Sequence, residues 1–189
     1  MVNREQAYQL LCEWVKSESL RKHMLCVEAA MRAYAKKYGE TEEVWGIAGL
    51  LHDFDYEKYP TFDAAAKTGH PYEGVRHLES LGYPKEIIEV ILGHATYSST
   101  PRISKMAKAL YAVDELCGFL TACALMRPDR LESLTAPSVK KKLKDKSFAA
   151  KVSREDIYKG AEELGVNLDE HIDFVIAALK PVGGKIFNI

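Results

Sequence analysis

The chain has 189 residues, of which 47% are hydrophobic and 28% are charged, and its formal net charge is −1. This composition is typical of a folded domain and excludes a wholly disordered chain. A charge so close to zero argues against nucleic acid as the main ligand. The longest nearly apolar run, 116–126, is well short of the roughly 20 residues of a membrane helix, so no membrane association is expected.

The four cysteines form no Cys-x-x-Cys pair, and three of them stand among apolar residues of predicted helices. Buried, reduced thiols fit this pattern better than a disulfide framework. The first residues also lack the apolar stretch of a signal peptide. Together these features predict a cytoplasmic protein. The cysteines are Cys12, Cys26, Cys117 and Cys123.

Apolar residues recur at helical spacing along almost the whole chain, and no alternating strand pattern stands out, so the predicted fold class is all-α. Ser19 is the expected cap of the second helix and Gly39 its end. The segment 54–69 is predicted to be a connection, and the tail 181–189 has little pattern. The predicted helices cover 4–16, 20–38, 42–52, 71–82, 84–94 and 103–126, followed by shorter ones near 136–146, 153–164 and 168–180.

The most informative feature is the dipeptide His52-Asp53 at the end of an apolar helix. Neighbouring helical side chains point about 100° apart, so both can reach one ion only where the helix ends. A neutral imidazole and a carboxylate suit a divalent transition metal. Such a dipeptide also occurs often by chance, and the pair alone does not establish a site.

Two further residues strengthen the metal hypothesis. His23 lies on the apolar face of the second helix, and Asp114 lies inside the most apolar helix. An ionised carboxylate there is costly unless it is paired or bound to a metal. The alternatives are a salt bridge from Asp114 to Lys108 or to a distant arginine, and a core histidine at position 23. A shared ion explains both residues and His52-Asp53 at once.

Some of the remaining histidines are candidate metal ligands and others are not. His70 at a helix start and His94 at a helix end stand where an open site can form. His77, seven residues after His70, lies on a similar face and is a rival ligand. His171 follows two acidic residues and is predicted to lie at the surface.

The order of these residues resembles that of the HD-domain superfamily of metal-dependent phosphohydrolases, over roughly residues 18–127. The stretches 114–119 and 124–128 also resemble the corresponding sequences of one subgroup of the superfamily, predicted hydrolases whose substrate is undefined. The chain length and the absence of a linker predict a single domain over 1–189. The resemblance implies an all-helical bundle with an HD core over about 18–127, and the more polar remainder is predicted to be a C-terminal helical extension over about 128–189. The resemblance also implies that one metal is held by His23, His52, Asp53 and Asp114, and a second by His70 and His94 with Asp53 as a bridge. The metals Mn, Fe, Ni, Zn, Co and Mg are not distinguished, nor is one ion distinguished from two.

The chain departs from many two-metal members at two points. A phosphate-contacting lysine is replaced by Tyr56, with Lys58 two residues further on, and His94 is followed by Ala95 instead of a second histidine. Both differences weigh against cyclic-dinucleotide hydrolysis.

The first hypothesis is hydrolysis of a phosphate ester on a small phosphorylated substrate, with Asp53 at the catalytic centre. Asp55, Tyr56 or Glu57 could handle a proton. Candidate substrate-binding residues are Lys58, Tyr97 and Arg102, of which Arg102 could clamp a phosphate with its fork of donors. The six lysines of 140–151 could draw an anion toward the site, although a solvated helix face is the more common outcome.

Two other functions fit the same ligand set. Myo-inositol oxygenase and related two-iron oxygenases carry a similar series of histidines and aspartates. A module that binds metal or nucleotide without turnover is the third hypothesis. The sequence leaves open whether identical chains associate.

Overall fold

The computed structural model describes residues 3–187, and within them the predicted all-α fold is confirmed. A two-residue antiparallel pairing of β1 (Phe62–Asp63) with β2 (Thr68–Gly69) is the exception, inside the predicted connection. The helices are α1 (Arg4–Trp14), α2 (Glu18–Tyr38), α3 (Glu42–Leu51), α4 (Tyr72–Ser80), α5 (Lys85–His94), α6 (Lys105–Leu125), α7 (Ala136–Leu143), α8 (Arg154–Leu164), α9 (Leu168–Leu179) and α10 (Gly183–Phe187), with 3₁₀ turns at Thr96–Ser98 and Lys180–Val182.

The ends of α2 illustrate how local chemistry sets the helix boundaries. Ser17, not the predicted Ser19, is the N-cap, and its hydroxyl accepts a hydrogen bond from the Leu20 N–H. The prediction was wrong because it started the helix at residue 20, where the apolar pattern begins, whereas α2 begins at Glu18. Gly39 ends the helix with φ of 71°, as predicted, since glycine adopts this left-handed conformation without steric cost.

Helix α6 is the centre of the fold. It packs against α2, α5 and α8, and most of its side chains are buried, among them Val113, Leu116 and Phe119. Helix α2 packs in turn on α3. Because Asp114 lies midway along α6, this arrangement brings a carboxylate into the middle of the helical bundle.

The C-terminal helices pack directly on this core. Ile157 of α8 and Val175 of α9 are fully buried in the same apolar cluster as α6. The tail, predicted to have little pattern, forms a 3₁₀ turn and α10, and it buries Ile186. Within residues 3–187, no helix combines the length and the apolar character needed to cross a membrane.

His171 corrects the sequence-based prediction of a surface residue, because α9 faces α2 and α6 and the ring is 1% exposed. Its Nε2 donates to the Ala112 carbonyl, so its Nδ1 accepts from the Tyr34 hydroxyl. Burial lowers the pKa of His171, which favours the neutral ring that these bonds require. The residue is part of the core.

The contact between α6 and α8 depends on Gly160. A Cβ atom at this position would stand 2.6 Å from the Ala112 Cα, which is backbone and cannot yield without moving a helix. We expect Gly160→Ala to lower the free energy of unfolding by about 1–3 kcal/mol through overpacking. Urea denaturation followed by circular dichroism measures the change.

Lys159→Ala, at the exposed neighbouring position of α8, is the matched control and should stay within about 0.5 kcal/mol of the parent chain. Equal stability of the Gly160→Ala variant and the parent chain would contradict this close packing.

Candidate metal centre

Five helices and the residues that flank them bring the six sequence-predicted ligands together at one place. Three of the six are helix-end residues or directly follow a helix end, since α3 ends just before His52-Asp53 and α5 ends at His94. The potential ligand atoms fall into two groups, and within each group all of them lie within 4.8 Å of one another. One group is His23, His52, Asp53 and Asp114, and the other is Asp53, His70 and His94.

The first group is centred on Asp114. Its Oδ1 lies 2.9 Å from the His23 Nε2 and 3.3 Å from the His52 Nε2. The His52 Nε2 is also 3.5 Å from the Asp53 Oδ2. The salt bridge from Asp114 to Lys108 or a distant arginine, considered above, is therefore replaced by contacts with two imidazoles.

The second group is centred on the other oxygen of Asp53. Its Oδ1 lies 3.2 Å from the Nε2 of both His70 and His94, and those two nitrogens are 3.3 Å apart. Asp53 therefore presents one oxygen to each group, which is the geometry that a bridging carboxylate requires. His77 lies outside both groups and packs its ring on Trp14, with ring centroids 4.6 Å apart.

Hydrogen bonds behind the rings aim three Nε2 atoms at the carboxylates. The Nδ1 of His52 donates to the Gly49 carbonyl at 2.8 Å, and the Nδ1 of His94 donates to the Ile91 carbonyl. The Nδ1 of His70 is bonded to the Asp55 carboxylate at 2.6 Å. In the neutral form of each ring, the lone pair of Nε2 then faces the centre.

A divalent cation fits this donor set. The His52 Nε2 is fully buried and makes no hydrogen bond, although two carboxylate oxygens stand within 3.5 Å of it. Lone pairs on imidazoles and on carboxylates repel one another at these distances unless positive charge lies between them. Imidazole nitrogen and carboxylate oxygen are suitable ligands for Zn, Fe, Mn, Ni or Co.

The ionisation of the ligands reflects the same charge balance. Burial lowers the pKa of His52, but the carboxylates of Asp53 and Asp114 outweigh this and hold it well above the usual histidine value. Burial raises the pKa of both aspartates, and the adjacent His52 more than reverses this effect. The pKa of His70 is also raised, since Asp55 and Asp53 outweigh burial. The carboxylates therefore favour positive charge on these rings or between them.

Asp55 stands behind His70 and is 1% exposed. Its Oδ1 holds the His70 Nδ1, and its Oδ2 accepts the Gly74 N–H at 2.7 Å. A Cβ at position 74 would meet the Asp55 side chain at 2.8 Å, so glycine is needed for this approach. This placement corrects the proton-handling role expected from the sequence, because the carboxylate is occupied in orienting a ligand.

A cavity of about 430 Å³ opens onto the ligands. Of the predicted reactive residues near the ligands, Tyr56 and Tyr97 line it, and Tyr97 also donates to the His70 carbonyl at 3.0 Å. The other lining residues are His23, Asp53, His70, His94, Ala95, Thr96, Tyr111, Asp114, Glu115, Gly118, Val152 and Asp156.

Three sequence-predicted residues are engaged elsewhere. Arg102, the expected phosphate clamp, instead forms a two-pronged ion pair with Glu163 at 2.7 and 2.8 Å. Lys58 lies over the Trp14 ring. Glu57 accepts the backbone N–H groups of Lys16 and Ser17, between α1 and α2. The local sequence placed these residues near the ligands, but contacts with distant segments turn them away from the cavity.

The lysines of 140–151 also lie outside the cavity wall. Lys140 pairs with Asp169 at 2.7 Å, and Lys142 lies over the Phe148 ring. The segment therefore matches the solvated helix face that was weighed against substrate attraction.

Two lining carboxyl groups were missed by the sequence analysis. Glu115 follows Asp114 on α6, and its pKa is raised to about 7 by burial and by the charge of Asp114. Asp156, in the first turn of α8, accepts the Tyr111 hydroxyl at 2.6 Å. Glu115 could have been flagged by its place beside a predicted ligand, whereas nothing in the local sequence around Asp156 points to the site.

Comparison with known families supports the same assignment. The family model of the HD domain matches residues 20–118, which is just over half of the chain and includes all six ligand residues. The chain belongs to the HD-domain family, in which most members are metal-dependent hydrolases. Comparisons with curated proteins and with solved structures found no match. The finer subgroup resemblance stays a prediction.

The role of Asp55 can be tested by metal binding. We expect Asp55→Asn to weaken metal affinity about 10–100-fold, because the amide cannot fix the His70 ring as a carboxylate does. Competition with a fluorescent chelator measures the affinity. Asp129→Asn, the same change at an exposed position after α6, is the control, and unchanged affinity in Asp55→Asn would contradict the orienting role.

Metal binding should also depend on pH. Because the pKa values of His52 and His70 are raised, these rings still carry protons above the usual histidine value of about 6.5, and the protons must leave before Nε2 binds an ion. Affinity should therefore increase as the pH rises through and beyond 6.5, with proton release. Calorimetric titration in two buffers of different ionisation enthalpy counts the protons, and binding without release would refute this expectation.

Proposed function

We propose that the protein is a metal-dependent hydrolase that cleaves a phosphate ester of a small phosphorylated substrate. The observation that carries the proposal is the position of Asp53, whose two oxygens face two separate groups of imidazoles on the floor of one cavity. Paired cations about a bridging carboxylate suit the displacement of one phosphoryl oxygen by another.

Specific residues of the chain would supply the ligands. His23, His52, Asp53 and Asp114 would hold one ion, and His70, His94 and Asp53 a second. Bound cations lower the pKa of a coordinated water and stabilise negative charge on phosphoryl oxygens. The identity and number of the ions belong to this proposal.

The remaining residues position the reaction. Asp55 keeps the His70 ring turned toward Asp53, and Tyr97 braces the backbone of His70 from the cavity side. Tyr56, 46% exposed at the cavity wall, is the predicted proton-handling side chain that can reach a substrate. In the net reaction water adds to phosphorus, the ester P–O bond breaks, and one proton of the water ends on the departing alcohol.

The proposal is tested by metal analysis of the purified protein, followed by a phosphate-release screen over nucleotides and sugar phosphates. Asp53→Ala should abolish metal-dependent release and lower the metal content, because one carboxylate serves both groups. His77→Ala should leave phosphate release and metal content nearly unchanged, because the His77 ring packs on Trp14, away from the candidate ligands. Thermal melting checks that both variants fold.

Other outcomes would replace the hydrolase proposal. Full phosphate release by Asp53→Ala would refute the hydrolase proposal. Oxygen consumption with an iron-loaded protein and a polyol or phosphonate substrate would indicate an oxygenase instead. Ligand-induced thermal stabilisation with no product over the whole panel would indicate a binding module.

A further inference from the structure

The charge of the cavity wall is unusual for a site that accepts a phosphorylated molecule. No lysine or arginine is among the described residues that line it. Arg102, the expected phosphate clamp, is neutralised by Glu163 and lies over the Tyr111 ring, 3.7 Å from its centroid. Cations held by the ligands would therefore be the principal positive charge offered to a substrate.

Two carboxyl groups face the same cavity in addition to the ligands. Asp156 is oriented by the Tyr111 hydroxyl, and Glu115 is oriented by the Ser153 N–H at 2.9 Å. Within residues 3–187, neither forms an ion pair with a lysine or arginine. By contrast, Glu163 on the same helix is paired with Arg102. The carboxyl groups are held in position but lack a cationic partner.

The cavity opens onto the candidate metal centre. Asp53 and Asp114 line its floor, and behind them the fully buried His52 Nε2 has no hydrogen-bond partner. At its wall, the carboxyl groups of Asp156 and Glu115 stand beside the side chains of Tyr56 and Tyr97. The floor therefore suits a phosphoryl group bound through metal, and the wall suits a positively charged group.

We infer that the substrate is a small phosphate monoester whose organic part carries an ammonium group directed at Asp156. This inference rests on the proposed function for the phosphoryl end of the molecule. A second phosphate or a carboxylate on the organic part would meet the carboxylate of Asp156 in a wall that no lysine or arginine lines. Nucleoside diphosphates and triphosphates are therefore disfavoured.

The inference is tested with three phosphate monoesters of nearly equal size. O-Phosphoethanolamine carries an ammonium group, propyl phosphate a methyl group, and phosphoglycolate a carboxylate. Calorimetry on the manganese-loaded protein measures their dissociation constants, and phosphate release measures kcat/KM. We expect the ammonium compound to bind about tenfold more tightly than propyl phosphate, and phosphoglycolate more weakly than either.

Asp156→Asn should remove this preference, because the amide keeps the acceptor for the Tyr111 hydroxyl but loses the charge. Glu155→Gln removes a charge from the exposed preceding residue of α8 and should keep the preference. The order of the dissociation constants of the three compounds is measured on the unaltered protein. It therefore tests the inference even if Asp156→Asn fails to fold.

The outcomes separate this inference from the proposed function. Phosphate release with equal or reversed ranking would overturn the ammonium inference and leave the hydrolase proposal standing. The expected ranking in binding without any release would uphold the inference for the ligand and refute hydrolysis. Absence of binding by all three compounds would overturn the inference.

Discussion

The partly buried carboxylate of Asp53 governs the arrangement of the side chains around it. With Asp114 nearby, it places two negative groups inside a bundle of apolar helices, which is unfavourable unless positive charge compensates them. Helices α2, α3, α4 and α5, or the residues directly beside them, each contribute one imidazole toward these carboxylates. Asp53 divides its oxygens between His52 on one side and His70 with His94 on the other, and it thereby links the two groups.

Helix ends do much of the orienting. His52 directly follows α3 and His94 is the last residue of α5, and each ring donates to the carbonyl three residues earlier. Such carbonyls have no partner within the helix, so the same bond satisfies the helix end and aims the ring. His70 precedes α4 instead and has no such carbonyl, and the buried Asp55 takes over this function. The close approach of Asp55 in turn requires glycine at position 74.

The candidate metal ligands and part of the cavity wall come from different parts of the chain. All six candidate ligands fall within residues 20–118, which match the HD domain, whereas Val152 and Asp156 reach the cavity from beyond that range. Because α8 packs on α6 at Gly160, the C-terminal helices contribute directly to the surface that a substrate would meet. The candidate metal centre therefore belongs to the HD region, and the proposed selectivity belongs largely to α8.

Apolar spacing and the order of His23, His52-Asp53 and Asp114 were enough to predict the helices and the family, because both can be read along the chain. The same order also identified the six residues that the fold brings together. The roles of the polar residues beside them depend on contacts that form only in the packed chain. Arg102 turns to Glu163, Asp55 turns to His70, and His171 is buried, because each finds its partner at least fifteen residues away in the chain. Neighbouring residues determine whether a helix forms, but only the packed chain determines which charges meet.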